Sequence, residues 1–225
     1  MTFSIVGRCE RTGRVGVASA TSSICVGARC PWARARVGAV ATQNVTLPSV
    51  GPMVLDRIER GADAQAALDA VMAGPVNADY RQVTAVDHRG RVAHFTGART
   101  LGTHAVATGR GCIAAGNLLR TKTVPAAMVE VFDAERERHL AARLLRALEA
   151  GLATGGEEGP VHSAALLVAD EQPWPLVDLR VDWDERNPVA SLRKLWTDYQ
   201  PQMQDYVTRA LDPASAPAYG VPGDL

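Results

Sequence analysis

Neither sign of charge is in excess in this chain: 24 basic and 24 acidic side chains cancel. There is no global field to attract nucleic acid, and no run of Lys or Arg is dense enough to make a local one. Long hydrophobic runs are also missing. No window reaches the roughly 18 apolar residues of a membrane span, and Met1 to Val6 lacks a basic segment leading into an apolar stretch of about 7 to 15 residues. The expectation is a cytoplasmic protein with neither nucleic acid nor membrane as partner. Cysteine is scarce. Cys9, Cys25, Cys30 and Cys112 are spaced neither as a Cys-x-x-Cys metal pair nor as a dense disulfide framework, so buried reduced thiols are expected. His88, His94, His104, His139 and His162 include no His-Glu-x-x-His and no pair at i, i+4, so a zinc site would need long-range assembly. A glycine-rich nucleotide loop is absent too, which argues against a doubly wound parallel sheet.

What is present reads as an ordinary folded domain. The 225 residues, 47% hydrophobic and 21% charged, suffice for one well-buried unit with an ordered tail. Residues 1–198 are expected to form the domain. Residues 199–225, with Pro201, Pro213, Pro217 and Pro222 and few apolar anchors, are expected as a partly helical, then flexible tail.

The β-prone runs 2–6 and 14–19 flank the Thr12-Gly13 turn and predict an N-terminal hairpin. Two more strands are expected at 23–27 and 37–42, with Pro31 and Trp32 breaking the chain between them. Helical spacing from Gly51 to Met72, split at Gly61, predicts a helix pair. Hairpins are expected at 82–87 with 91–95 and at 105–108 with 112–115. Helices are expected at 124–134 and 140–150, the latter ending at Gly151 with a stripe of Leu144, Leu145 and Leu148. Strands at 164–169 and 176–181 and a helix at 188–195 complete the order. This alternation of strand groups with helix groups fits an α+β, four-layer αββα sandwich of two mainly antiparallel sheets flanked by helices.

Thr2 is the most informative residue. Removal of an initiator methionine before a small residue would leave a threonine whose α-amine has a reference pKa of about 7.7 to 8.0. A threonine hydroxyl is a poor nucleophile without an adjacent proton acceptor, and its own α-amine can serve as one. Many proteins begin Met-Thr, so the pair alone carries little. Here the chain is expected to pass directly into a strand, which would fix the amine at a sheet end.

Seven segments in order then carry a family resemblance. They are Met1-Thr2-Phe3-Ser4-Ile5-Val6, the Thr12-Gly13 turn, Pro31-Trp32-Ala33-Arg34-Ala35 leading into 37–43, Phe95-Thr96-Gly97, Ala115-Gly116-Asn117-Leu118-Leu119, Ser163 to Val168, and Asp178-Leu179-Arg180-Val181-Asp182. To about Leu195 the chain resembles the DUF1028 proteins, a group placed with the N-terminal-nucleophile hydrolases and sometimes labelled zinc-dependent protease-like. The resemblance implies the αββα fold with a free N-terminus between the sheets, and hydrolysis of a carbon-nitrogen bond in an amide. Gly155-Gly156-Glu157-Glu158-Gly159-Pro160-Val161-His162 departs from the family's usual Gly-Gly-Asp followed by a basic stretch, which unsettles any substrate-contacting role for that loop.

The remaining candidates are ranked by chemistry. Asn117 is an oxyanion donor or a turn cap. Ser4, two residues along the same strand face as Thr2, either orients the amine or bonds to backbone. Gln43 and Asn44 at a strand end, and Ser22 and Ser23 in a turn, can line a substrate site. Trp32 and Arg34 can shape a pocket for an aromatic or anionic group, or simply pack. Arg180 and Asp182 share a strand face as an ion pair. His162 and Ser163, adjacent on a strand, point to opposite faces and form no dyad. The leading expectation is a cofactor-independent amidohydrolase acting on a small-molecule amide, non-peptide C–N bond, with Thr2, Asn117 and Ser4 as its machinery. A non-catalytic binding module and a zinc-dependent peptidase are the alternatives, and a homodimer is the expected assembly.

Overall fold

A computed structural model describes residues 2–221. The N-terminal hairpin forms as its pattern predicts: β1 (Thr2–Arg8) and β2 (Val15–Thr21) run antiparallel, with Phe3 opposite Ala20. Gly13, at φ 76°, supplies the left-handed residue their turn needs. Then come β3 (Pro31–Arg34), β4 (Gly38–Asn44), α1 (Val50–Glu59) and α2 (Ala64–Met72). β5 (Arg81–Asp87) and β6 (Val92–Thr96) form a hairpin, as do β7 (Ala105–Gly109) and β8 (Cys112–Asn117). α3 (Val124–Ala134), α4 (Leu140–Ala153), β9 (Ser163–Ala169), β10 (Val177–Val181), α5 (Pro188–Tyr199) and α6 (Met203–Leu211) follow.

Two antiparallel sheets result, with strand orders β10-β9-β2-β1-β8-β7 and β3-β4-β5-β6. Period-2 alternation sorts their side chains into layers. Phe3, Ile5, Ala18, Cys112 and Leu166 pack outward against Phe132, Leu144 and Leu148 of α3 and α4. Val40, Val83 and Ala85 pack outward against Val54, Leu55 and Leu68 of α1 and α2. Val6, Val17, Ala39, Ala41, Val86 and Ile113 fill the space between the sheets. The architecture is therefore the αββα sandwich expected.

Five local expectations need correction. Residues 23–27 make no strand: Cys25 takes a left-handed conformation and Val26–Ala28 a single 3-10 turn. The Ser163 hydroxyl accepts from the Val26 N–H and donates to the Ser23 carbonyl, replacing ladder bonds. Pro31 and Trp32 do not break the chain but open β3, a sheet edge where the missing proline N–H removes no ladder bond. α4 continues past Gly151, because that glycine lets the helix approach Met128 and Phe3; a Cβ there would lie 2.9 Å from Met128. Arg180 pairs with Asp178 rather than with Asp182. Cys9, Cys30 and Cys112 are buried free thiols, whereas Cys25 is only half-buried.

Candidate active site between the sheets

Strand alternation places Thr2 and Ser4 on the inter-sheet face of β1, with Phe3 and Ile5 turned toward the helices. Thr2 is 4% exposed, lies opposite Asn117 in the β1–β8 register, and its hydroxyl donates to the Thr21 hydroxyl at 3.3 Å. From there a buried polar network crosses to the other sheet. The Ser4 hydroxyl donates to Gln43 Oε1 at 2.6 Å, and Gln43 Nε2 donates to Gln82 Oε1 at 2.8 Å. Asn117 Nδ2 donates to the same oxygen at 3.1 Å, while Gln82 Nε2 donates to the Gly116 carbonyl. Gln82 is thus the hub that ties β5 to β8 and fixes the orientation of three amide groups. Asn117 Oδ1 has no hydrogen-bond partner among the described residues and retains acceptor capacity.

Beside this network lies a carboxyl group. Glu157 is 2% exposed on the 155–158 turn, which is bound to the segment after β8 by a bridge to Leu119 and by Glu158 N–H donating to the Leu118 carbonyl. Burial raises its pKa to about 7; the positive charge at the start of the chain opposes the rise, as do the backbone N–H and hydroxyl of Ser22. The turn also lines a cavity of about 520 Å³ with Arg120, Pro160, Arg186 and Asn187. Another cavity, of about 430 Å³ between Arg14, Trp174 and Leu211, contains none of these groups.

The residues singled out from sequence divide into two sets. Thr2, Ser4, Gln43 and Asn117 converge, and half-buried Ser22 sits at the Glu157 side of the cluster. Ser23 is exposed and donates its N–H to the Thr21 hydroxyl. Asn44 is turned away: its side chain donates to the Tyr80 carbonyl and accepts from the Leu101 N–H. Trp32 packs on Gly51 of α1 and donates to the Arg29 carbonyl, and Arg34 pairs with Asp56 and Glu59. Both serve the β3–α1 contact. Gln82, Thr21 and Glu157 went unselected. A signal existed for Gln82: it and Thr84 alternate with Val83 and Ala85, marking a polar inner face. Among the described residues no three His, Cys, Asp or Glu side chains converge as metal ligands, and no helix is long and apolar enough to cross a membrane.

A family model matches residues 2–192, the family of unknown function DUF1028. The chain belongs to the DUF1028 family. A crystal structure of a family member from Silicibacter pomeroyi is similar over 88% of this chain and 89% of its own, at 33% identity and a TM-score of 0.82. Anbu, an ancestral beta-subunit from Yersinia bercovieri, aligns over 91% of this chain and 97% of its own, but at 10% identity and a TM-score of 0.40 it bears no weight. No functionally curated protein matches.

Proposed function

We propose that this DUF1028 protein is an N-terminal-nucleophile hydrolase that cleaves a non-peptide amide C–N bond in a small molecule, with Thr2 as nucleophile after Met1 is removed. The observation that carries this reading is the placement of Thr2. A residue at the start of a central strand is 4% exposed, faces the inter-sheet space, and sits beside a hydrogen-bonded polar network. Once Met1 is removed, an amine on a strand residue buried in this way is held rigidly enough to act as a base.

In this reading the α-amine takes the hydroxyl proton as Oγ1 attacks the amide carbonyl. The same proton then passes to the leaving nitrogen as the C–N bond breaks, and water releases the acyl group with the amine again as base. Because the Ser4 hydroxyl donates to Gln43, its lone pairs are left to accept from the amine. Asn117 has a second amide N–H beyond the one given to Gln82, which suits it to a developing oxyanion. No cofactor enters the scheme.

Intact-mass spectrometry of the protein before and after incubation with a β-lactone tests the reading. Loss of one methionine and a single adduct on Thr2 are expected, with labelling of a folded Thr2→Ala protein slower by at least about 100-fold. Undiminished labelling of Thr2→Ala, or retained Met1 without an adduct, would leave a binding module as the better account.

A further inference from the structure

Glu157 is a buried ionisable group of this region that the proposed chemistry does not use. It is 2% exposed, it joins no ion pair among the described residues, and only the Ser22 N–H and hydroxyl lie near its oxygens, short of hydrogen-bonding geometry. A carboxylate held this way is costly unless a cation or strong donor meets it.

Three features place it at the start of β1. The Arg120 N–H donates to the Gly156 carbonyl and Glu158 N–H to the Leu118 carbonyl, so the turn is stitched to the residues directly after Asn117, the strand partner of Thr2. The glycines at 155 and 156 have φ of 126° and 58°, and a Cβ at 156 would touch the Phe3 ring at 3.4 Å; the turn packs on the neighbour of Thr2. Ser22, beside the carboxyl, follows Thr21, whose hydroxyl accepts from Thr2. The charge at the chain's start already acts on the carboxyl, and loss of Met1 moves that charge onto Thr2. The other charged groups facing the turn are Arg120, whose guanidinium donates to the Glu158 carbonyl, and Arg186 and Glu158, which line the cavity; His162, stacked on Trp183, follows in the chain.

We propose that Glu157 is the positioning residue for the Thr2 α-amine: its carboxylate accepts an amine N–H, aims the nitrogen at the threonine hydroxyl, and stabilises the ammonium that forms when the amine takes the proton. This rests on the nucleophile reading above and gives the base its third, orienting group. The carboxylate neither gains nor loses a proton in the cycle.

The test follows two readouts in wild type, Glu157→Gln and Glu157→Asp, each checked for Met1 removal by mass and for folding by thermal melting. One readout is the α-amine pKa, from the pH dependence of its ¹⁵N chemical shift with labelled threonine. The other is the β-lactone labelling rate at Thr2 against pH. Glu157→Gln is expected to lower the amine pKa by about 1 to 3, and Glu157→Asp to restore part of it. Labelling of Glu157→Gln should fall by at least about 10-fold at its own optimum, with the pH profile moved in the same direction. An amine pKa unchanged in Glu157→Gln overturns the pairing whatever labelling does. A lowered amine pKa with no labelling of wild-type Thr2 overturns the nucleophile reading and leaves the pairing standing. Retained Met1 overturns both.

Discussion

At the scale of single residues the inter-sheet network is built around Gln82. Its Oε1 receives both Gln43 Nε2 and Asn117 Nδ2, and its own amide satisfies the Gly116 carbonyl. Gln82→Leu keeps the volume but strands two buried amide donors and one carbonyl. Loss of about 2–4 kcal/mol in urea unfolding is expected, together with slower β-lactone labelling, since Asn117 loses its anchor. Gln82 and Glu157 escaped a reading of the sequence because their partners are remote in the chain. A polar side chain declares itself buried only when the other sheet arrives over it.

Elements show a different economy, in which one small or titratable residue governs how two elements meet. Gly51, the second residue of α1, lies flat on Trp32 of β3, and a Cβ there would sit 2.1 Å from the indole. Gly51→Ala should therefore cost about 1–3 kcal/mol, read by urea unfolding with a shifted tryptophan emission. His139 caps α4 by accepting the Ala141 N–H on Nδ1, and stacks on Trp196 of α5. Burial lowers its pKa from 6.5 to about 4. As pH falls through this interval the unfolded chain takes up a proton that the folded protein refuses, so stability present above pH 6.5 is lost towards pH 4. His139→Asn retains a capping acceptor and cannot titrate. Relative to it, wild type should lose about 1–2 kcal/mol on acidification, the partial exposure of the ring moderating the figure.

For the whole molecule, the burial of the Glu157 carboxyl in the 155–158 turn makes global stability depend on pH in the opposite sense. The ordinary carboxyl value of 4.5 rises to about 7 for Glu157 in the folded protein. As pH rises the unfolded chain releases this proton first, so stability held below pH 4.5 declines up to about pH 7. Glu157→Gln lacks this decline and should be the more stable protein at pH 8, by up to about 3 kcal/mol in urea unfolding, but not at pH 4. A bound α-ammonium makes the difference smaller, so a Met1-free preparation should show less of it than one that retains Met1.

Local pattern determined most of the elements. Period-2 runs marked β1, β2, β5 and β8, helical spacing broken at Gly61 marked α1 and α2, and the leucine stripe marked α4. Local pattern misjudged residues 23–27 and 31–34, where a side chain of β9 and a sheet edge decide the backbone. Thr2, Ser4, Gln43 and Asn117 were legible as polar strand residues, but not as one site, and Trp32 and Arg34 stood among the same candidates. Only the tertiary structure separated them. The Thr2–Asn117 register and the stacking of one sheet on the other bring together side chains 39 and 115 residues apart. Propensity and periodicity act over a few residues, whereas a site between two sheets is set by strand order and register, which the whole chain decides together.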